Sequence, residues 1–170
     1  PDPKVREEIL AAAERMFAER GYAGTSVQDI IDATSFTKPV LYYYFENKAA
    51  LYKALVDTAY DETYRLMVEA SQRAETLERQ LVEIVTAQFE FLIERRNVVQ
   101  IAIAAAFAAP GEMPENMRDN SKGERNFDFI HALNKKGISK GVLGKDLDSM
   151  ELALGIYGAL SFQVMIYALQ

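Results

Sequence analysis

The chain has 170 residues, of which 49% are hydrophobic and 26% are charged, and its formal net charge is -6. This composition supplies enough apolar material for a folded core and excludes a disordered chain. The sequence has no cysteine, which excludes disulfides, thiolate metal sites and cysteine nucleophiles. The negative charge excludes a surface that binds nucleic acid indiscriminately, so any contact with DNA must be local.

The N-terminal region begins with two predicted helices. Apolar residues recur at spacings of three and four over residues 4–20, and Gly21 can then adopt the left-handed conformation that ends a helix. Ser26 and Asp29 have the spacing of a capping box, which predicts the start of a short second helix. We expect this second helix to end near Ala33.

Residues 37–48 predict a third short helix with the features of a recognition helix. Thr37 can cap it, and Pro39 suits its first turn. Leu41 and Phe45 are expected to face inward, which leaves lysines and tyrosines on the remaining surface. Residues 34–36 form a connection of the length found in helix-turn-helix units. The lysines and tyrosines on the surface of this third helix suit contacts with phosphates and base edges.

The remainder of the chain also predicts helices. Asn47 can cap a long linking helix that continues to residue 69 or 71, and further helices are expected at residues 76–95, 98–109, 120–140 and from Asp148 to the end. The helix at residues 98–109 is apolar nearly all round, which predicts burial between other helices. The prolines and glycine of residues 110–117 predict a loop. No stretch alternates in the manner of a strand, so the predicted fold class is all-α.

Four segments match a known family in order and spacing: FAERGY at residues 17–22, TSVQDII at 25–31, TKPVLYYYF at 37–45 and NKAAL at 47–51. The N-terminal part therefore resembles the TetR (tetracycline repressor) family of bacterial transcriptional regulators. The resemblance implies a three-helix helix-turn-helix DNA-binding domain at residues 1–47 and an effector-binding and dimerisation bundle at residues 48–170. Ser35 stands where the family usually has glycine, so we expect a slightly altered turn.

The function implied by the resemblance is that of a ligand-responsive transcriptional regulator. Its simplest form is a repressor that binds double-stranded operator DNA as a homodimer and is released by a small apolar or aromatic effector. We expect no catalysis and no cofactor, since neither a Ser-His-Asp arrangement nor a phosphate loop is legible. Because no export signal opens the chain, we expect a cytoplasmic protein.

The resemblance implies DNA contacts of two kinds. Lys38 and Lys48 begin helices, where a cation lies at the unfavourable end of the helix dipole unless a phosphate is bound. Contacts to the DNA backbone are expected from Thr25 or Ser26, Thr37, Tyr42, Tyr43 and Lys48, and contacts to base edges or thymine methyl groups from Gln28, Lys38, Pro39 and Val40. The orientation of Tyr44 stays open between packing and surface.

The effector is expected in the bundle, against an aromatic and methionine-rich set of side chains. The candidates are Phe89, Leu92, Phe107, Met113, Met117, Phe127, His131, Tyr157 and Phe162. The alternative for each of them is an ordinary position in the core. The single histidine has no pair of acidic residues at ligand spacing, so we expect no metal site.

The last segment leaves a second function open. Residues 152–170 carry no charge and approach the length of a membrane span, so a tail-anchored helical protein is one alternative. Gly155, Gly158 and Ala159 offer a surface for close approach of another helix, which favours a dimer interface and no membrane contact. A helical protein-interaction module without a DNA role is the other alternative.

Overall fold

The computed structural model describes residues 2–109, 112–114, 117 and 119–169, with residue 169 described by its backbone alone. These residues form the helices α1 (Pro3–Arg20), α2 (Val27–Asp32), α3 (Lys38–Tyr44), α4 (Lys48–Ser71), α5 (Leu77–Glu94), α6 (Arg96–Ala106), α7 (Ser121–Ser139) and α8 (Ser149–Leu169). The described part of the chain contains no strand, which confirms the predicted all-α class. Pro110, Gly111, Glu115 and Asn116 of the predicted loop lie outside the described residues.

The chain packs as two compact units. One consists of Pro1–Ala59 with Asn97–Asp119, and the other of Tyr60–Arg96 with Asn120–Gln170. Helix α4 therefore contributes its first half to one unit and its second half to the other, and the segment that contains α6 belongs with the N-terminal residues. The sequence predicts a domain boundary between residues 47 and 48, which separates a DNA-binding part from an effector-binding part. The two packing units do not have this boundary, so it stays a prediction.

In the first unit, the predicted capping and apolar spacing set the helix boundaries. Gly21 has φ of 70° and its N–H donates to the carbonyl of Phe17, which ends α1 as the sequence predicts. Ile9 and Phe17 of α1 are buried in the core of this unit, together with Leu41 of α3. The side-chain oxygen of Asn47 accepts from the N–H of Ala50 at 2.8 Å, so the predicted cap of α4 forms.

The prediction for α6 was wrong in one respect. Val98, Val99 and Ile101 are buried, and the hydroxyl of Tyr52 donates to the carbonyl of Ile101 at 3.1 Å. Phe107, just past the end of α6, is 75% exposed. The segment therefore buries one face within its unit, because an apolar surface does not require a partner on every side.

In the second unit, the core joins the later part of α4 to α5, α7 and α8. The buried cluster consists of Met67, Ala70, Ile84, Ala87, Ile130 and Ala153. On α5, Ile84, Gln88, Phe91 and Leu92 are buried, whereas Val85 is exposed. A Cβ at Gly137 would lie 2.5 Å from Cδ2 of Leu77, so this glycine permits close packing of α7 against the start of α5.

Helix α8 buries one face and exposes the other. Ala153, Leu160 and Ala168 are buried, whereas Leu154 and Phe162 are more than half exposed. Gly155 and Gly158 have space beside them, with nothing within 4 Å of a Cβ at either position. By length and composition alone, residues 149–168 are also long and apolar enough to cross a membrane. The sequence left two hypotheses for this helix, a dimer interface and a membrane anchor. Both require an exposed apolar face.

Candidate nucleic-acid interface

The start of α2 is fixed by a reciprocal capping box. The hydroxyl of Ser26 accepts from the N–H of Asp29 at 3.1 Å, and the carboxylate of Asp29 accepts from the N–H of Ser26 at 2.8 Å. The Ser26 hydroxyl also donates to this carboxylate at 2.6 Å, and these bonds from Ser26 hold the pKa of Asp29 below its usual value. The predicted capping box is therefore confirmed, and it fixes the helix that precedes the turn.

The turn between α2 and α3 closes through Thr34. Its hydroxyl donates to the carbonyl of Ile31 at 3.0 Å and accepts from the N–H of Phe36 at 3.2 Å. Every described residue other than glycine has a negative φ, so Ser35 occupies the turn without left-handed strain. The turn thus tolerates serine where the resembled family usually has glycine.

Helix α3 separates its side chains into a buried and an exposed set. Leu41 is fully buried and Phe45 is 5% exposed, whereas Tyr42 and Tyr43 are 48% and 69% exposed. Lys38 is the first residue of the helix and is also exposed. The exposed set therefore contains a cation and two phenol hydroxyls, which are donors suited to phosphate oxygens and base edges.

Thr37 holds the cap position of α3 but not through its side chain. Its backbone is extended, with φ of -112° and ψ of 161°, and its hydroxyl makes no capping hydrogen bond. An exposed hydroxyl at a helix N-terminus remains available to donate to a phosphate. The expected backbone contact of Thr37 is thus compatible with its geometry.

The structure gives Tyr44 a packing position. Its hydroxyl accepts from the N–H of Asp2 at 2.9 Å, and its ring lies edge-on to Tyr43 at 5.1 Å. Arg6 lies over the ring of Phe45, with its guanidinium carbon 5.1 Å from the ring centroid. The start of α1 is therefore attached to the end of α3, and this attachment orients α3.

An open apolar depression of about 450 Å³ lies beside the exposed tyrosines. It is lined by Val5, Phe36, Pro39, Val40, Tyr43 and Tyr44. A thymine methyl group is the apolar feature that the major groove presents. The expected contacts of Pro39 and Val40 with such methyl groups match this lining. Gln28 is exposed as well, but its side-chain amide donates to Asp32 at 2.6 Å.

Thr25 is not available to DNA, which corrects the sequence expectation. Its side chain is 1% exposed, and its hydroxyl lies 3.1 Å from the carbonyl of Met16 and 2.9 Å from that of Gly21. A hydroxyl that satisfies the carbonyls at the end of α1 has a structural role. Of the pair Thr25 and Ser26, only Ser26 is exposed.

Lys48 also makes contacts within its own unit. Its ammonium donates to the carbonyls of Tyr22 and Thr25, each at 2.9 Å, and lies 4.2 Å from the centroid of the Tyr22 ring. Burial raises the pKa of Tyr22, so this ring stays neutral near pH 7. The unfavourable position of a cation at a helix start is thus offset by two carbonyls, and no phosphate is required to explain it.

The residues expected to bind an effector fall into separate groups. Phe89 and Leu92 line a cleft of about 700 Å³ in the second unit, together with Ile93, Arg96, Gln163 and Tyr167. Sequence reasoning missed these four additional residues. A signal in the sequence could have indicated these four residues. Positions 89, 92, 93 and 96 are related by steps of three or four residues, and so are positions 163 and 167, which is the spacing of residues on one face of a helix.

Phe127, His131 and Tyr157 form a second group in the same unit. The ring of Phe127 lies 6.3 Å from that of His131 and 5.7 Å from that of Tyr157, and Phe127 and Tyr157 pack against the buried core. Nε2 of His131 lies 3.0 Å from the hydroxyl of Ser149. Burial raises the pKa of Tyr157 to about 12. These contacts are those of a packed core, the alternative that the sequence left open.

The other expected effector residues are not gathered with these groups. Phe162 is 56% exposed on α8. Phe107, Met113 and Met117 belong to the first unit. Among the described residues, no group of histidine and acidic side chains is arranged to hold a metal ion.

The N-terminal part matches a known family. Residues 9–55 match the model described as bacterial regulatory proteins, tetR family. Over 147 residues the chain is 23% identical to YdgC, an uncharacterized HTH-type transcriptional regulator of Bacillus subtilis, in a match that covers 82% of this chain and 75% of YdgC. Over 69 residues it is 39% identical to the HTH-type transcriptional regulator TtgR of Pseudomonas putida, covering 41% of this chain and 32% of TtgR.

Solved structures extend the likeness beyond the N-terminal part. The transcriptional regulator FadR from Bacillus subtilis, whose crystal structure is a complex with stearoyl-CoA, matches with a TM-score of 0.81 at 20% identity. The match covers 96% of this chain and 87% of that one. At this identity the likeness establishes the fold, a helix-turn-helix domain followed by a helical domain. The high identity to TtgR, in contrast, is confined to about a third of that relative.

Proposed function

We propose, because residues 9–55 match the model of the tetR family of bacterial regulatory proteins, that the chain is a ligand-responsive transcriptional regulator. In this proposal a homodimer binds double-stranded operator DNA in the cytoplasm, and a small effector releases it, so that the protein acts as a repressor. Occupancy of the effector site and of the operator then oppose each other, because coupling between two sites is reciprocal.

The observation that carries the proposal is the division of α3 into a buried and an exposed face. Leu41 and Phe45 anchor the helix, while Lys38, Tyr42 and Tyr43 project from it directly after the turn. This arrangement supplies base-reading and phosphate-binding groups on the second helix of a helix-turn-helix unit. Ser26, Thr37, Pro39 and Val40 complete the proposed contact surface, which excludes Thr25 because Thr25 is buried.

Lys48 has a different role in this proposal. Because its ammonium is bound to two carbonyls of the loop between α1 and α2, it attaches the start of α4 to that loop. Movement of α4 would then be transmitted to the helices that bind DNA. Lys48 is a positioning residue in this account, and the phosphate contacts come from Thr37, Tyr42 and Tyr43.

The exposed face of α8 supports the proposed dimer. Leu154, Gly158 and Phe162 project on the side opposite the buried Ala153 and Leu160. Small residues at Gly155 and Gly158 allow the backbone of a second helix to approach closely. Two copies paired through this face would present two recognition helices to successive turns of DNA, with half-sites about 34–36 Å apart.

The proposed effector site is supported by the cleft that contains Phe89 and Leu92. The cleft is open, since Ile93 and Tyr167 are more than half exposed, and its volume of about 700 Å³ lies within the range of about 300–1,000 Å³ common for small-molecule sites. The structurally similar FadR was crystallised with stearoyl-CoA, a ligand with a long apolar chain. This likeness supports an effector with substantial apolar surface.

The proposal is tested by retention of genomic DNA fragments on the immobilised chain, followed by sequencing and by titration of the retained fragment. Specific retention of one promoter is expected, with Tyr42→Ala and Lys38→Ala weakening it. Lys140→Ala is the matched control, because Lys140 is an exposed lysine at the end of α7 in the other unit. Equal retention of all fragments, or equal losses in Lys140→Ala, would contradict the proposal.

A membrane-anchored protein is a second candidate, because α8 exposes apolar side chains over a length sufficient to cross a membrane. Flotation with phosphatidylcholine vesicles separates the two candidates. The regulator remains with the soluble fraction as a dimer, whereas an anchored protein floats with the vesicles.

A further inference from the structure

The cleft between α5 and α8 combines an apolar wall with one cationic end. Phe89, Leu92 and Ile93 supply the wall on α5, and the ring of Tyr167 packs edge-on against Phe89 at 5.6 Å. Gln163 is the neutral polar group of the lining, and Arg96 is its charged group. The cleft is therefore amphipathic, with a single formal charge among the side chains that line it.

Arg96 has few partners for its charge in the described structure. The one hydrogen bond that it makes to a described residue runs from its guanidinium to the carbonyl of Ala168, at a long 3.4 Å. A guanidinium carries five N–H donors, and most of those of Arg96 have no acceptor among the described residues. Lys48 occupies a comparable position at a helix start, but it is bound to two carbonyls at 2.9 Å.

The position of Arg96 also favours an anion. It is the first residue of α6, where the helix dipole is positive. An anion bound there would interact favourably with this end of α6 and with the guanidinium. A guanidinium matches a carboxylate particularly well, because it can donate two parallel hydrogen bonds.

Resting on the function proposed above, we propose that this cleft binds a carboxylate that terminates an apolar chain, and that such a molecule is the effector. The carboxylate accepts from Arg96, and the apolar chain lies along Ile93, Leu92 and Phe89. The apolar wall from Phe89 to Ile93 spans four residues of α5, about 6 Å along its axis, and Arg96 lies just beyond the end of that helix. A medium-length alkyl chain covers that distance.

The cleft is separate from the face proposed for dimerisation. Gln163 and Tyr167 project from the flank of α8, while Leu154, Gly158 and Phe162 project from its outer face. A ligand in the cleft could therefore bind to a dimer. It would lie beside the interface, where its occupancy can alter how two copies pair.

Isothermal titration of the whole chain, without DNA, tests the inference with octanoate and octanamide as probes. The two molecules have the same chain and nearly the same size, but only octanoate is charged. Octanoate is expected to bind about tenfold more tightly than octanamide, because only it makes a charge-assisted bond to Arg96. Each methylene between hexanoate and octanoate is expected to raise affinity by up to about fourfold.

Three variants identify the site. Arg96→Gln should abolish the preference for octanoate, and Gln163→Glu should weaken octanoate while leaving octanamide unchanged. Arg79→Gln removes an exposed arginine at the other end of α5 and should have no effect. Far-UV circular dichroism checks that each variant is folded. Gln163→Glu changes an exposed side chain to one of nearly the same size, so we expect this variant to fold.

The inference is overturned if octanamide binds as tightly as octanoate, or if Arg96→Gln keeps the preference. It is also overturned if neither probe binds and Tyr167→Ser instead lowers the fraction of dimer, since a second copy then covers the cleft. Because DNA is absent, such results leave the proposed DNA binding intact. Octanoate binding by a chain that selects no DNA would support the site and reject the regulatory function.

Discussion

The variant Lys48→Met keeps a long side chain but removes the ammonium that connects α4 to the loop between α1 and α2. Two hydrogen bonds of 2.9 Å and one contact with the Tyr22 ring are lost. Hydrogen bonds to charged groups contribute about 1.5–3 kcal/mol each when buried, but Lys48 is only half-buried and water can replace its bonds. With about 0.5 kcal/mol for the ring contact, we expect the first unit to lose about 2 kcal/mol of stability.

Salt dependence of DNA binding distinguishes positioning from phosphate contact. A lost phosphate contact lowers the slope of log K against log salt by about 0.9 per contact. We expect Lys48→Met to keep the wild-type slope and to lower affinity at every salt concentration, because the recognition helices are less well positioned. The measurements are fluorescence anisotropy at several salt concentrations and guanidinium unfolding monitored by circular dichroism.

Lys140→Met is the matched control for this experiment, since it makes the same change at an exposed lysine of the other unit. The reasoning about Lys48 is refuted if Lys48→Met leaves stability unchanged while the slope falls by about one unit per subunit. That result would mean that the ammonium leaves its carbonyls to bind phosphate.

Three further predictions concern specificity, pairing and pH. Lys38→Ala should reduce the ratio of operator to scrambled-DNA affinity by about tenfold in anisotropy titrations, and equal losses on both DNAs would argue against base reading. Phe162→Glu should weaken the dimer by about 30-fold or more in light scattering, because pairing would bury two unpaired carboxylates; a dimer that persists would remove α8 from the interface. Burial alone would raise the pKa of Asp61, but hydrogen bonds from Lys122 and Arg125 outweigh it and lower the pKa. The stability from these bonds is therefore present above the ordinary pKa of about 4 and is lost as pH falls through the lowered value. Asp61→Asn should destabilise the chain by about 1 kcal/mol at pH 7 and by much less at pH 2; an equal difference at both pH values would contradict the sign.

The reading of the N-terminal helices from sequence depended on local interactions. The Ser26 capping box, the glycine that ends α1 and the apolar spacing of α3 each act within a few residues of the chain. Such interactions are encoded where they occur, so the boundaries of α1 to α3 could be predicted closely. The family match of residues 9–55 confirmed the resemblance drawn from the same segments.

The differences from expectation concern side chains whose partners lie elsewhere in the chain. Thr25 was expected at the DNA surface, yet its hydroxyl bonds to carbonyls at the end of α1. Lys48 finds its carbonyls 26 and 23 residues earlier in the sequence. The role of a polar side chain depends on which groups the fold brings beside it, and helical spacing does not give that information.

The residues of the proposed effector site show the same limit. Aromatic residues at helical spacing are found both in cores and in clefts, and the sequence could not separate Phe89 from Phe127. Arg96 was missed because the sequence does not show that the fold places it in one cleft with Gln163 and Tyr167. A search for helix faces that combine apolar residues with a basic residue at the helix end would have found the α5 side of this cleft, but not the α8 side.

Selection of double-stranded DNA from a random library by the purified chain tests the central claim most directly. The account predicts enrichment of one two-fold symmetric sequence whose half-sites lie about one helical turn apart or a multiple of it. It also predicts that Tyr42→Ala and Lys38→Ala lose this enrichment while Lys140→Ala keeps it. Recovery of unrelated sequences by the wild-type chain, with all three variants behaving alike, would contradict the account.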